Sequence, residues 1–378
     1  MKTPSPSRPL IVLSLEGFAR AALSCYGCSW NRTPAIDSIA GGGVVWDRVT
    51  AESDDPSEVL KAWFNSDWAE PWRQVGSVEL VTDTVDPVSS CFDHVTCVPS
   101  NAPPEHPVED VVETQLGRVI AAAIDRDQNL DDWSVLWIHS NALTCCWDAP
   151  RHLFPDEQLD EDDDLEPQEE GESFDPDDPQ NSLPPPLERI FTRTSPPQYQ
   201  RRDDDHPDWL SSWMRTYACQ IRLVDLLIEV LLESLQVEDP WFLLTGTSGY
   251  RLGQAGWIGS RSGTLRSADI HLPLILSDLG PLRVPRLTAS GVVTDLLRML
   301  AQEKPQILPA QIEADSDPKT QVETSSKHVL RAITTPHWFY VQEHDLGESL
   351  FLKPDDVEDC NDVARVRKEI VNGFRRPD

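Results

Sequence analysis

Basic residues are scarce in this sequence. It holds 32 Lys and Arg against 64 Asp and Glu, so the 378-residue chain has a formal net charge of −32 at pH 7. Residues 156–178 alone contain 14 acidic residues and no basic residue. Such a charge would repel both nucleic acid and an anionic membrane surface. We therefore expect no nucleic acid and no membrane among the partners, and an unknown protein partner is the class that stays open.

Long apolar runs are absent as well. No stretch approaches the roughly 18 apolar residues of a membrane span, and the first residues lack the apolar core of a secretion signal. The eight cysteines are scattered, and the pairs Cys25/Cys28 and Cys91/Cys97 have no second pair at zinc-finger spacing. We therefore expect reduced thiols, no disulfide framework and a cytoplasmic protein.

Hydrophobic residues make up only 39% of the chain, and 32 prolines are many for a globular protein. Both values predict a folded body that carries an unfolded insertion, acidic first and proline-rich later. The predicted organisation is a disordered tail, an α/β domain with the insertion inside it, a linker and a C-terminal subdomain. Their predicted ranges are 1–7, 8–302 with the insertion at about 151–205, 303–328 and 329–378.

Short apolar runs alternate with helical patterns along the body. Runs without polar alternation predict strands that are covered on both faces, at residues 10–15, 133–139, 241–245 and 270–276. Helical patterns lie at residues 34–40, 57–64, 108–124, 214–235 and within 284–301. Residues 86–106 predict a loop, and residues 338–341 and 349–352 predict strands of the C-terminal subdomain. This alternation predicts a largely parallel sheet with helices on both faces.

Several motifs follow one another in a recognisable order. Leu-Ser-Cys-Tyr-Gly stands at 23–27, Thr-Pro-Ala-Ile-Asp at 33–37, Trp-Ile-His at 137–139 and His-Leu-Pro-Leu-Ile-Leu at 271–276. Their order resembles that of the sulfatases, within the alkaline phosphatase superfamily. The resemblance implies an alkaline-phosphatase/sulfatase-like α/β fold, with a largely parallel sheet, helices on both faces and a small C-terminal α+β subdomain.

The resemblance also implies a place for each part of a sulfatase site. In that family, carboxylates at strand ends hold a divalent cation, because hard cations prefer oxygen ligands. The metal positions fall here on Glu16, Gly17, Thr247 and Ser248. Only Glu16 carries a carboxylate, so most of the expected ligands are missing. We expect no cofactor, and a divalent cation such as Ca²⁺ or Mg²⁺ only if the site is still functional.

The family nucleophile is a formylglycine made from Cys or Ser, and a nearby arginine neutralises the ester. The nucleophile position falls on Asp54 and the arginine position on Glu58. Formylglycine cannot form from an aspartate, and a carboxylate in place of the arginine reverses the local charge where sulfate would bind.

These changes predict a sulfatase-like protein that is non-catalytic and has a binding or regulatory role. The candidate pocket residues are Glu16, Asp54, Asp55, His139, Thr247 and Ser248. We interpret Glu16 as a strand-end or capping carboxylate and His139 as a hydrogen-bonded residue beneath the site. One alternative is an active hydrolase of sulfuric or phosphoric esters with altered, metal-assisted chemistry through Glu16, Asp54 and Asp55. Another is an interaction module whose acidic insertion binds a basic partner.

Overall fold

The computed structural model describes residues 8–84, 91–129, 132–155, 190–260, 263–302, 321–344 and 347–375. Its largest element is a nine-stranded mixed sheet. The strands of this sheet are β1 (Leu10–Leu15), β2 (Val44–Thr50), β3 (Ser77–Thr82), β4 (His94–Cys97), β5 (Trp133–Ser140), β7 (Trp241–Gly246), β10 (His271–Leu272), β11 (Leu274–Leu276) and β12 (Leu282–Ala289). Among them, only β10 and β11 run against their neighbours, so the sheet is largely parallel, as predicted.

Strand β1 lies at the centre of the sheet, between β5 and β7. Leu15, its last residue, is in register with Ser140 of β5 and with Gly246 of β7. All residues of these three strands are buried, which explains why their sequences read as continuous apolar runs. The three strands therefore end side by side at one edge of the sheet.

Helices cover both faces of this sheet. They are α1 (Pro34–Gly42), α2 (Pro56–Phe64), α3 (Ala69–Arg73), α4 (Gln115–Gln128), α5 (Ala142–Cys145), α6 (Trp209–Ser234), α7 (Ser267–Ile270), α8 (Val292–Gln302) and α9 (Lys368–Phe374). Successive residues of β1 point to opposite faces, so Leu10 packs with side chains of α2, α3 and α8. Ile11 packs with side chains of α1, α4 and α6. Among the described helices, none combines the length and apolar composition of a membrane span.

Two small sheets complete the fold. One is antiparallel and contains β13 (Val322–Thr324), β14 (Val329–Thr334), β15 (Trp338–Glu343) and β16 (Gly347–Leu352). The other contains β6 (Tyr199–Gln200), β8 (Arg251–Leu252) and β9 (Trp257–Gly259). With α9, the first of these sheets forms the small C-terminal α+β part that the sequence predicted.

Four strands lie in segments to which the sequence analysis assigned a different structure. Strand β4 lies in the segment 86–106 that was predicted as a loop, and β12 precedes the helix predicted within 284–301. Strand β13 lies in the predicted linker, and β6 lies in the predicted insertion, paired with β9. These strands are short or lie at an edge, so their sequences lack the apolar run of a fully buried strand. Residues 1–7, 156–189 and 303–320 lie outside the described residues.

Helix α4 begins later than predicted. It starts at Gln115, because the Thr114 side chain accepts a hydrogen bond from the Gly117 amide at 2.9 Å and caps the helix there. A 3₁₀ turn at Val111–Glu113 precedes it. The apolar spacing that began at residue 108 therefore covers a turn and a helix.

Candidate functional site

A cleft of about 560 Å³ lies at the edge of the sheet where the parallel strands end. Such crevices beyond the carboxyl ends of strands are the usual ligand sites of open α/β sheets. Glu16 follows β1 directly, Asn141 follows β5 directly, and Ser248 lies two residues after β7. The described lining also includes Asp54, Asp55, Ser57, Lys61, Thr84, His139, Cys145, Thr264, Asp269, Lys327 and His328.

Five of the six predicted pocket residues therefore line one cleft, and Thr247 does not. Thr247 is fully buried. Its amide donates to the Leu15 carbonyl at 2.9 Å, and its hydroxyl lies 3.5 Å from the same oxygen. The Thr247 side chain is thus directed back to β1 and joins two strand ends.

Glu16 is a strand-end carboxylate. Its amide donates to the Ser140 carbonyl at 3.0 Å, which continues the ladder between β1 and β5. Its Oε1 accepts a hydrogen bond from the Thr144 hydroxyl at 2.9 Å. The side chain is therefore oriented by α5, the short helix that follows β5.

Gly17 has no room for a side chain. A Cβ placed on this residue would lie 2.4 Å from Thr144 Cγ2, and its φ of +74° is one that other residues rarely adopt. The Gly17 amide donates to Ser248 Oγ at 2.9 Å, and the Phe18 amide donates to the Ser248 carbonyl at 3.0 Å. A carboxylate ligand at position 17 would require a different backbone here, and Ser248 is tied to that backbone.

Asp54 and Asp55 approach the cleft from the loop after β2. The Asp54 amide donates to the Ser325 carbonyl at 3.1 Å, and its Oδ2 accepts from the Ser326 hydroxyl at 2.5 Å. Asp55 caps α2, because its Oδ1 accepts from the Ser57 amide at 3.0 Å. Both carboxylates therefore already serve local structure on the cleft wall.

Glu58 is outside the described lining of the cleft. It lies in the first turn of α2, and its carboxylate is 2.9 Å from Lys61 Nζ, with both side chains 57% exposed. An exposed pair at this spacing contributes about 0.5 kcal/mol or less. Glu58 is thus a surface residue beside the cleft mouth.

His139 lies at the bottom of the cleft and is fully buried. Its Nδ1 is 3.0 Å from Ser14 Oγ, and the same oxygen accepts from Trp137 Nε1 at 2.8 Å. Burial lowers the pKa of His139 to about 4, because a charged imidazole loses its hydration there. His139 is therefore neutral at physiological pH.

Several lining residues were missed by the sequence analysis. Asn141 could have been found, because it directly follows a buried strand; its amide donates to Asp83 Oδ1 at 3.0 Å. Lys327 and His328 lie in the predicted linker, and no sequence signal places them at the cleft. Asp269 follows no strand, and its carboxylate accepts from Arg251 Nε at 2.8 and 2.9 Å.

The described carboxylates do not form the cluster that a Ca²⁺ site needs. Within the described ranges, no three side chains of His, Cys, Asp or Glu are grouped as a metal site needs. Ca²⁺ sites need six to eight oxygen ligands, whereas Mg²⁺ is often held by one or two carboxylates and several waters. Glu16, Asp54 and Asp55 are instead held by Thr144, by Ser326 and by the start of α2.

The architecture is shared with solved hydrolases. The phosphonate monoester hydrolase of Agrobacterium radiobacter matches with a TM-score of 0.69 over 97% of this chain and 93% of its own, at 15% identity. BT1596, a 2-O GAG sulfatase, matches with a TM-score of 0.63 over 98% and 90%, at 14% identity. BT4656, solved with its substrate D-glucosamine-2-N,6-O-disulfate, matches with a TM-score of 0.63 over 98% and 96%, at 14% identity. The chain has the sulfatase fold.

No family model and no curated protein sequence matches the chain. At 14–15% identity the likeness to the solved structures concerns the sulfatase fold and not the chemistry. The fold prediction made from the motifs is thus confirmed.

Proposed function

We propose that this chain is a sulfatase-fold protein that has lost ester hydrolysis and uses its cleft for binding or regulation. The observation that carries the proposal is the charge of the cleft wall. Asp54, at the position that the resemblance assigns to the nucleophile, lines the cleft beside Asp55 and Glu16. A sulfate or phosphate ester is an anion, so these three carboxylates repel it.

The remaining positions support the same proposal. Glu58, at the arginine position, is bound to Lys61 on the surface. Position 17 cannot carry a carboxylate without a change of backbone, and Thr247 is directed to the Leu15 carbonyl. In ester hydrolysis, the largest contribution to catalysis usually comes from groups that stabilise the negative charge of the transition state. Loss of those groups would remove that contribution.

The test is turnover of aryl sulfate, aryl phosphate and aryl phosphonate esters by the full chain. Asp54→Ala serves as the inactive reference, and Glu58→Gln serves as a matched carboxylate change outside the cleft lining. We expect the wild-type rate to equal that of Asp54→Ala. A wild-type rate at least tenfold above Asp54→Ala, with Glu58→Gln unchanged, would overturn the proposal.

A second candidate is an active ester hydrolase with altered chemistry. It is favoured by the structural neighbours, which include a phosphonate monoester hydrolase and a sulfatase. Metal content by mass spectrometry decides between the two candidates. Stoichiometric Ca²⁺, Mg²⁺, Mn²⁺ or Zn²⁺ that is lost in both Glu16→Ala and Asp54→Ala would favour the hydrolase.

We also propose that the acidic segment binds a basic protein partner in the cytoplasm. The charge of residues 156–178 supports the partner. Eight cysteines without disulfide bonds support a reducing compartment. A deletion should remove residues 156–189 only, because β6 pairs with β9 and belongs to the fold. Loss of captured partners from this deletion variant, with unchanged thermal stability, is the expected result; unchanged capture would contradict it.

A further inference from the structure

A second groove, of about 770 Å³, lies where α6 faces the start of α1. Three of the described residues that line it are the arginines Arg32, Arg215 and Arg222, and one is a carboxylate, Asp225. Asp225 is buried and accepts hydrogen bonds from two amides at the start of α1. The described wall of this arginine groove therefore carries a net positive charge, in a chain whose formal net charge is −32.

Two of these arginines hold the chain just before the acidic segment begins. Arg215 Nη2 donates to the Pro155 carbonyl at 3.0 Å, and Arg222 Nη1 lies 3.5 Å from the Phe154 carbonyl oxygen. Arg222 Nε also donates to Asn31 Oδ1 at 3.1 Å. These acceptors are uncharged, so they orient the guanidinium groups without cancelling their positive charge.

The chain leaves the wall of the groove as the acidic segment begins, and it returns nearby. Pro155 lines the groove, and Asp156 follows it at one Cα–Cα step of about 3.8 Å. Where the described chain resumes, the Phe191 ring packs edge-on against the Phe154 ring, with centroids 4.5 Å apart. Residues 156–178, with acidic and no basic side chains, are thus tethered beside the arginines.

We propose that the arginine groove binds the acidic segment, residues 156–178, of its own chain, through carboxylates that pair with Arg32, Arg215 and Arg222. Charge complementarity and the tether both favour this occupant. A ligand on a short tether that spans the site has an effective concentration in the millimolar range. Each guanidinium can bind a carboxylate through two parallel, charge-assisted hydrogen bonds.

An acidic molecule without a tether meets a different balance. It has to approach a chain with a formal net charge of −32, which repels it at long range. The acidic segment is covalently attached at the wall of the groove, so this repulsion cannot dilute it. The chain's own segment is therefore favoured over a separate acidic protein.

Photo-cross-linking in the full chain tests the proposal. Ser211→p-benzoylphenylalanine places the reactive group in the groove, because Ser211 is exposed and lines it. Peptide mass spectrometry after irradiation identifies the residues that are joined. We expect cross-links to residues 156–178 within one chain. Their yield should fall in about 1 M NaCl, because salt screens exposed charges.

Charge reversal supplies the matched variants. Arg32→Glu and Arg215→Glu should each lower the cross-link yield about threefold or more, whereas Arg365→Glu, at an exposed arginine outside the described groove lining, should not. Arg32 is exposed, so Arg32→Glu keeps the test available if thermal unfolding shows that Arg215→Glu does not fold. An unchanged yield in Arg32→Glu, no cross-link to the segment, or cross-links that join two chains would overturn the proposal.

The arginine groove and the proposed basic partner compete for the same carboxylates. Arg32→Glu should therefore raise the capture of that partner by the full chain. This consequence rests on the proposed function, because it needs the partner, whereas the cross-linking does not. Cross-links that form as expected, without capture of any partner, would support the groove assignment and count against the partner alone.

Discussion

Acid should destabilise this protein through His139, and the size of the effect follows from its burial. We consider His139→Gln, whose amide can donate to or accept from Ser14 but cannot be protonated near neutral pH. In the wild type the pKa of His139 falls from 6.5 to about 4 because the buried imidazole loses its hydration. The unfolded chain therefore binds a proton between these two values, and the folded chain does not.

The sign and magnitude follow from linkage. Stability falls wherever the unfolded state binds more protons and pH is lowered. For a pKa that falls from 6.5 to about 4, the wild type should lose about 2 kcal/mol relative to His139→Gln between about pH 7.5 and pH 5. The difference between the two proteins removes the contributions of other titrating groups, including His271, whose pKa desolvation also lowers.

Urea denaturation followed by tryptophan fluorescence measures this difference, since Trp137 contacts the same network. The free energies of unfolding of both proteins would be determined at several pH values. His337→Gln, a change at an exposed histidine, is the matched control and should show no comparable trend. The reasoning would be refuted if the free energy of unfolding of the wild type did not fall relative to that of His139→Gln as pH is lowered.

Two further predictions concern buried carboxylates. Lys353 Nζ lies 2.5 Å from Asp359 Oδ1, with side chains 2% and 1% exposed, so Lys353→Met should lower the free energy of unfolding by about 3–5 kcal/mol. Adding Asp359→Leu should recover part of that loss in urea denaturation, and a further loss would contradict the argument. Asp225 accepts from two amides at the start of α1, and burial raises its pKa to about 6. Stability relative to Asp225→Asn should therefore fall as pH rises from about 4 to 7, and a rise would contradict it.

The fold could be predicted largely because its central strands are buried on both faces. All residues of strands β1, β5 and β7 are buried. A strand buried on both faces favours apolar residues at successive positions, so its sequence shows a continuous apolar run. Strand β4 is different, because its residues His94 and Val95 are exposed at the sheet edge. Its pairing with β3 depends on tertiary contacts, including the 2.9 Å contact between His94 Nδ1 and Glu79 Oε1, which no local pattern encodes.

The site was predictable where a residue follows a strand or where the resemblance assigned a position, as it did for Asp54. Glu16 and Ser248 stand at such positions, and parallel strands that end side by side bring them together. Ser326 reaches Asp54 from 272 residues away along the chain. That contact depends on the bridge between Ser53 and Ser325, so it has no signature in the sequence near either residue.

The shape of the cleft does not depend on the chemistry of its side chains. Backbone hydrogen bonds hold its floor, from the Glu16 amide to Ser140, from the Thr247 amide to Leu15, and from the Phe18 amide to Ser248. The stability of these strands comes from the two apolar layers on either face of the sheet, at roughly 1.5–3 kcal/mol for each fully buried large side chain. Exchange of a polar group on the wall alters neither contribution. Under the proposed function, Asp54 and Glu58 stand at the positions that the resemblance assigns to the nucleophile and the arginine, and such replacements would reverse the charge of the site while the strands keep its shape.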